Sequence, residues 1–493
     1  MHADADLVAT LESPLPASVP AGGATAVFCY GHCFHRRAHV ARLDILVDGR
    51  RHRPSATRMP RPDVFGADGA GRSFRSGFWG IVPLHAAPDA GAIDLALAVR
   101  LRAGGEIVAP LGRVPIAPMG AVESGGVTSD PMAAAPTAGP APARIAICMA
   151  TYEPDRALLR AQLDSLRSQT DRDWACVISD DCSSREGCAA LLAEVGDDAR
   201  FAVSRSDRRL GFYRNFERSL RLAPADAPLI ALCDQDDVWR PEKLAVLRAA
   251  LGSAQLAYSD QRLVDADGRV LRETLWRARR NNHTDLSSLL VANTITGAAT
   301  LFRREVAELA LPFPDTPGLQ FHDHWIALAA LASGDVAYVD RPLYDYVQHR
   351  GAFFGEVTHG APPPPSRGRG MLRGGRGAYF LGYLARATQA EVLLARCGNR
   401  MAPRKRRALR RFAAAERSFA AFAALALRPL RVLVGRTETL GSETELVRGI
   451  VWRHAVALLA AGARAPGRRP CDASLPGLLT FEQRRLRRWR ARV

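Results

Sequence analysis

Three carboxylates, Asp234, Asp236 and Asp237, fall within four positions directly after the apolar run Leu229 to Cys233. Two carboxylates about 4 Å apart repel by roughly 1 kcal/mol in water and roughly 4 kcal/mol at an effective dielectric near 20. A solvated acidic turn tolerates this, but the end of a buried strand needs a counter-charge. A divalent cation supplies one: carboxylate oxygens suit Mg2+ or Mn2+, which bridge to phosphate oxygens. A second acidic pair, Asp180-Asp181, closes the apolar stretch from Trp174, and Thr151-Tyr152-Glu153 closes the one from Ile145. Asp323, in His322-Asp323-His324-Trp325, heads another apolar run. A helix N-terminus favours an ionised carboxylate, which suits a general base taking a hydroxyl proton; the position also suits a helix cap. His322 and His324 are alternative bases or supports for Asp323. Trp325 and Trp239 either offer a flat ring face to a ligand or fill the core.

Cys29, Cys33, His35 and His39 form a further cluster. Zinc fingers separate their cysteine pair from the histidines by a long gap. These four are packed into a strand-like stretch, so buried thiols in a strand are the favoured reading over a zinc site.

To bring the acidic groups together, the elements must end at one edge. From Arg144 to Gly360 the sequence alternates strand and helix. RIAICMATY, DWACVISDDCSS, FAVSRSD and PLIALC read as strands; ALLRAQLDSLRSQ, GCAALLAEVG, GFYRNFERSLRLA and PEKLAVLRAALG read as helices. This grammar predicts a mostly parallel sheet flanked by helices, in which ligands sit beyond the carboxyl ends of the strands. Upstream, RLDILVDGRRH turns at Asp48-Gly49, IDLALAVRLRAGGEIVAPL turns at Ala103-Gly104-Gly105, and GFWGIVPL is a further strand. Residues 1–117 therefore read as an immunoglobulin-like β-sandwich. Residues 118–143 read as a Pro/Gly/Ala-rich linker. Residues 361–493 read as a low-complexity break followed by basic helices.

The segments ATYEPDRALLRAQLDSLRSQT, VISDDCSS, LGFYRNFERSL, LCDQDDVWRPEK, YSDQRLVDADGRV, TGAATLFRREV, FHDHW and LYDYVQH occur in this order. Together, over residues 144–360, they resemble a family 2 glycosyltransferase with the Rossmann-like GT-A fold. CDQDDVW and HDHW resemble its bacterial rhamnosyltransferase-like branch. VDG and RPDVF resemble β-sandwich modules attached to bacterial sugar transferases. The resemblance implies a metal-dependent, inverting enzyme that moves a sugar from a nucleotide-sugar to a glycan or lipid-linked glycan in cell-surface polysaccharide synthesis. Rhamnose from dTDP-rhamnose is the first donor it suggests, and a UDP-hexose the alternative. It further implies that Thr151, Tyr152 and Glu153 line the base and ribose, that one of Asp180 and Asp181 bonds the base, and that Gly211 and Asn215 lie beside the nucleotide. Thr296 and Gly297 match a turn near the sugar. Asp234 and Asp236 match the metal-binding pair, His349 a late metal or diphosphate ligand, and Asp323 the catalytic base. Trp325 belongs with the sugar-facing group. The family usually has Asn where this chain has Glu153 and Arg209.

Two other classes compete. A nucleotidyltransferase carries a Gly-rich phosphate loop after its first strand, and ATYEPDRALL has no glycine. A non-catalytic glycan-binding protein would not need Asp234, Asp236 and Asp323 together.

The net charge of +17 is unevenly placed. Residues 366–493 hold 28 basic and 7 acidic groups; the rest of the chain holds 39 and 43. Only Lys243 and Lys405 are lysines among 67 basic residues. The basic region lacks the stacking platforms or reading motifs of a nucleic-acid binder. It suits either a helical bundle or contact with an anionic membrane surface. The nine scattered cysteines and the acidic start MHADADLV predict a cytoplasmic protein with reduced thiols, and the basic region, with the lipid-linked acceptors the resemblance implies, adds a peripheral place at the inner face of a membrane.

Overall fold

The structure is a computed structural model; it describes residues 4–69, 71–118, 143–275, 280–349, 374–462, 472–476 and 478–479. Most of the linker, the break at 361–373 and the Arg-rich segment from Glu482 lie outside the described residues.

Two sheets face each other near the N-terminus. One pairs Leu7–Leu11, Ala24–His35, Gly77–His85 and Ala56–Met59; the other runs from Val19–Pro20 through Glu106–Ala117, Ala92–Leu101 and Val40–Val47 to Arg50–His52. Alternate residues of both inner faces, including Val27, Cys29, Phe78, Ile45, Leu95 and Leu97, make one apolar core. Asp48 and Gly49 both take positive φ (47° and 76°) in the turn that pairs Val47 with Arg50. Cys29 and Cys33 are core thiols that burial pushes up to about 12. His35 lies 3.3 Å from Asp4.

The central sheet begins with four parallel strands in the order Phe201–Arg205, Trp174–Asp180, Ile145–Thr151, Leu229–Cys233. Almost every residue of the last three is buried, as expected when both faces are covered. Thr300–Arg303 then runs antiparallel to both Leu229–Cys233 and Leu256–Asp265, and Val336–Gln348 lies parallel to the latter. Helix Arg156–Arg167 starts at Asp155, whose side chain accepts from the N–H groups of Ala157 and Leu158. Helix Arg185–Val195 is capped in the same way by Ser184.

The helical layer Ala378–Cys397 lies between the sandwich and the central domain. Tyr379 and Phe380 pack on the outer face of the first sandwich sheet: the Trp79 Nε1–H donates to the Tyr379 hydroxyl at 2.9 Å, and the Phe380 ring lies 5.0 Å from that of Trp79. The other side of the same helical layer docks on the central domain. Arg386 donates to Val291 O, and Arg396 donates to the carbonyls of Leu309, Ala310 and Pro312. Both guanidiniums thus meet the carbonyl ends of helices Leu286–Val291 and Arg304–Ala310, where a cation is favoured. Part of the arginine excess is therefore used in joining these helices to the central domain. Among the described residues, no helix is long and apolar enough to cross a membrane.

Candidate active site

The ends of the parallel strands gather the acidic residues, and each carboxylate has a different neighbourhood. Thr151 donates through Oγ1 to Asp180 Oδ1, and Ser183 donates from both N–H and hydroxyl to the same carboxylate. Asp181 accepts from the backbone of Leu210 and Gly211, and a positive φ of 82° suits glycine at 211. Asn215 ties two strand ends together. Its amide donates to Thr151 O and Ser179 O and accepts from the Ser179 hydroxyl. Glu153 accepts from the Ser184 N–H and hydroxyl. Asp180, Asp181, Asn215 and Glu153 are thus each anchored by neighbouring strand ends and loops.

Tyr152 is partly exposed at the mouth of the cleft. The Arg209 guanidinium lies over its ring at 3.3 Å from the centroid. Gln235, between the two acidic positions, accepts from the Tyr152 N–H at 2.8 Å and donates to its carbonyl. The acidic loop and the Thr151–Glu153 loop are therefore clipped to each other.

Asp236 and His349 are paired at 2.8 Å through Oδ2 and Nε2, and this contact holds the imidazole pKa above its ordinary value. Burial pushes the Asp234 carboxyl up to about 7; the charges of Asp236 and then Asp323 add to the rise, and Lys243 opposes it. Asp237 is wholly buried, accepts from the Val347 N–H, and has no partner at Oδ2. Burial, then Asp234 and Asp236, drive its carboxyl far up. A cleft with this excess of negative charge fits a divalent cation. Its carboxylate oxygens suit a hard cation such as Mg2+ or Mn2+.

Lys243 is the residue that sequence reasoning missed. It is fully buried behind the acidic triplet, its Nζ lies over the rings of Trp239 and Tyr344, and it donates to Ala298 O. Burial lowers its pKa to about 7, against the pull of Cys233, Asp237 and Asp234. One signal was present: a lysine in a chain that uses arginine at almost every basic position.

Asp323 sits in the first turn of helix His322–Ser333, half-buried in the cleft. Burial raises its pKa to about 6, while backbone N–H groups of His324 and Gly297 hold it back. Gly297 allows the close approach: a Cβ there would lie 2.8 Å from His322 Nε2 and 3.3 Å from Asp323 Cβ. Thr296 reaches the Tyr344 hydroxyl, so the turn is held from the opposite wall. The histidines beside Asp323 differ: His324 is engaged by a carbonyl, whereas both ring nitrogens of His322 are buried without a hydrogen-bond partner. His324 Nε2 lies 2.7 Å from Leu289 O. His322 stacks on Phe216 at 3.6 Å, and burial lowers its pKa to about 3. Trp325 corrects the sequence expectation: it is fully buried, donates to Ala310 O, and presents no face to a sugar. Trp239 is likewise core.

Residues 146–309 match the family model described as glycosyl transferase family 2. An uncharacterized glycosyltransferase of Methanocaldococcus jannaschii, MJ1057, is 25% identical over 26% of this chain and 45% of its own length. The uncharacterized protein y4gI of Sinorhizobium fredii is 27% identical over 24% of this chain and 13% of its own. The chain thus spans less than half the length of either curated relative. Among solved structures, the crystal structure of S. aureus TarS 1–349 in complex with UDP-GlcNAc is 16% identical, covering 63% of this chain and 92% of that one, with a TM-score of 0.38.

Proposed function

With a glycosyl transferase family 2 domain at its centre, this chain, we propose, transfers a sugar from a nucleotide-sugar to a glycan acceptor, with inversion at the anomeric carbon. One observation carries the reading. Asp323, far from the acidic triplet in sequence, shares its cleft closely enough to raise the Asp234 pKa. That proximity supports a reading in which a base and a set of anionic metal ligands face one space.

Asp236 and His349 would hold Mg2+ or Mn2+, with Asp234 beside them. The bound cation would supply charge stabilisation for the departing nucleoside diphosphate. The protein's own part is positioning and proton transfer. The Asp323 carboxylate takes the acceptor hydroxyl proton as that oxygen attacks. The Gly297 N–H orients the carboxylate, and the Gln235–Tyr152 clip keeps the donor loops in register. Tyr152 and Arg209 flank the place where a base would stack, with Thr151, Glu153, Asp180, Asp181, Gly211 and Asn215 supporting it and Thr296 bordering the sugar. Rhamnose from dTDP-rhamnose is the first donor to try, and a UDP-hexose the second. The proposed setting is bacterial surface polysaccharide synthesis at the inner face of a membrane, on a free or lipid-linked glycan, with the C-terminal region meeting an anionic membrane surface.

Donor hydrolysis over a panel of nucleotide-sugars, with and without Mn2+ or Mg2+, tests this. Metal-dependent turnover of at least one donor is expected; no turnover of any donor with either metal would sink the reading.

A further inference from the structure

We propose that the face made by helices Pro403–Ala413 and Phe419–Ala426 and the 3-10 turn Arg428–Val434 docks on an anionic phospholipid bilayer. This deepens the membrane contact of the reading above by assigning it residues.

The face combines two features that are uncommon together. Phe419, Leu433 and Val434 are 85%, 83% and 75% exposed, with Leu427 and Leu430 also exposed, and no residue of the turn Arg428–Val434 is buried. Beside them, Arg404, Arg407 and Arg411 project from one side of their helix at i, i+3 and i+7. They line a groove of about 340 Å³ whose facing wall is Ala421, Ala424 and Leu425. All three arginines are exposed. Among the described residues, no carboxylate lies within ion-pair distance of them. By contrast, Arg428 and Arg431, nearby, are paired with Glu443 and Asp285. Helix Pro403–Ala413 contains no acidic residue at all.

Cations without protein partners beside exposed aliphatic side chains match a lipid interface, where headgroup phosphates meet the guanidiniums and acyl chains meet the apolar rim. Of the exposed apolar residues on this face only Phe419 carries a ring, whereas single-strand binders stack successive bases on several. The chain's own residues 480–493 carry six arginines and one glutamate, the same sign as the groove, so charge opposes them as its occupant. The location also suits an amphipathic acceptor. Arg428 donates to Ser288 and Arg431 to Asp285 on one side of helix Leu286–Val291, while Leu289 O on that helix meets His324, next to Asp323. Helix Leu286–Val291 thus contacts both the docking face and the helix that carries Asp323.

Flotation of the full chain with phosphatidylcholine vesicles containing about 30% phosphatidylglycerol, at about 0.1 M salt, tests the proposal. The parent should bind these and bind pure phosphatidylcholine vesicles much more weakly. The triple variant Arg404→Gln, Arg407→Gln, Arg411→Gln should lose about 100-fold in affinity. Leu430→Ser, Leu433→Ser, Val434→Ser should lose at least about tenfold. Either variant binding like the parent overturns the proposal. So does a parent that ignores vesicles while the serine variant converts a dimer to a monomer in sedimentation, which would make a second copy the occupant. Binding lost only on truncation after Leu479 would assign the contact to the terminal segment instead. Nucleotide-sugar turnover in vesicle-free solution reports the transferase reading separately: its absence with intact vesicle binding would count against that reading and leave the surface standing.

Discussion

The Nζ of Lys243 lies 3.3 Å from the centroid of the Trp239 ring. The ammonium is the protein's own counter-charge behind Asp234 and Asp237, and its bond to Ala298 O joins the acidic loop to the turn that supports Asp323. Lys243→Met should destabilise the protein by about 3 kcal/mol, because removing a buried cation leaves its acidic neighbours uncompensated. Lys243→Arg should also destabilise, since a planar fork does not fit where a compact ammonium is held between rings. Urea unfolding checks both; a Lys243→Arg protein as stable as the parent would show that charge alone matters there.

Removing the cation should remove the activity. EDTA is expected to abolish turnover and added Mn2+ to restore it. Asp236→Asn and His349→Ala should each weaken Mn2+ binding by at least about tenfold, as loss of a ligand or its partner does. Calorimetric titration of Mn2+ reads this without relying on activity; undiminished Mn2+ affinity in both variants would place the metal elsewhere.

Asp323 is expected to govern the acidic limb of the rate profile. Its pKa near 6 lies above the ordinary carboxylate value because burial penalises the charge. Transfer should therefore rise through pH 6 and level off above it. Asp323→Asn should lower transfer by about 10²–10⁴-fold with donor affinity nearly unchanged. The sign for stability is opposite. A carboxyl whose pKa is raised in the folded state binds more protons folded than unfolded between pH 4 and 6, so its contribution falls as pH rises through that window. Asp323→Asn should consequently unfold at higher urea than the parent at pH 8. Lower stability there would mean that the charged carboxylate holds its turn together.

Gly297 should be sensitive to a single methyl group. Gly297→Ala places a carbon 2.8 Å from His322 Nε2, and the base helix must shift to make room. Displacements of this kind cost up to about 10²-fold in rate, so kcat should fall while donor KM changes little. An unchanged kcat would show that His322 yields instead.

Much of this was legible before the fold was seen, and for a clear reason. The strands Ile145–Thr151, Trp174–Asp180 and Leu229–Cys233 are continuous apolar runs ended by polar residues, and helix Arg156–Arg167 shows a one-sided apolar pattern. Periodicity carries such elements. It does not carry pairing order, so the antiparallel insertion of Thr300–Arg303 was not foreseen. Trp325 was misplaced because its helix is buried almost all round, and a helix apolar on every face gives no sign of which side meets the cleft. The partners of Asp180 and Asn215 within the protein were not legible either, because a polar side chain at a strand end gives no sign of which neighbouring loop it bonds.

The joining of both ends of the chain has a consequence during synthesis. The Tyr30 hydroxyl donates to Ala473 O, 443 residues later, and Tyr379 and Phe380 cover the same face of the sandwich. At roughly 5–20 residues per second, that aromatic face waits about 20–90 seconds, uncovered, for its partner to leave the ribosome. The protein should therefore depend on a holding chaperone early in translation. Slowed elongation after the first domain should lower soluble yield, the reverse of the usual benefit of pausing at a domain boundary.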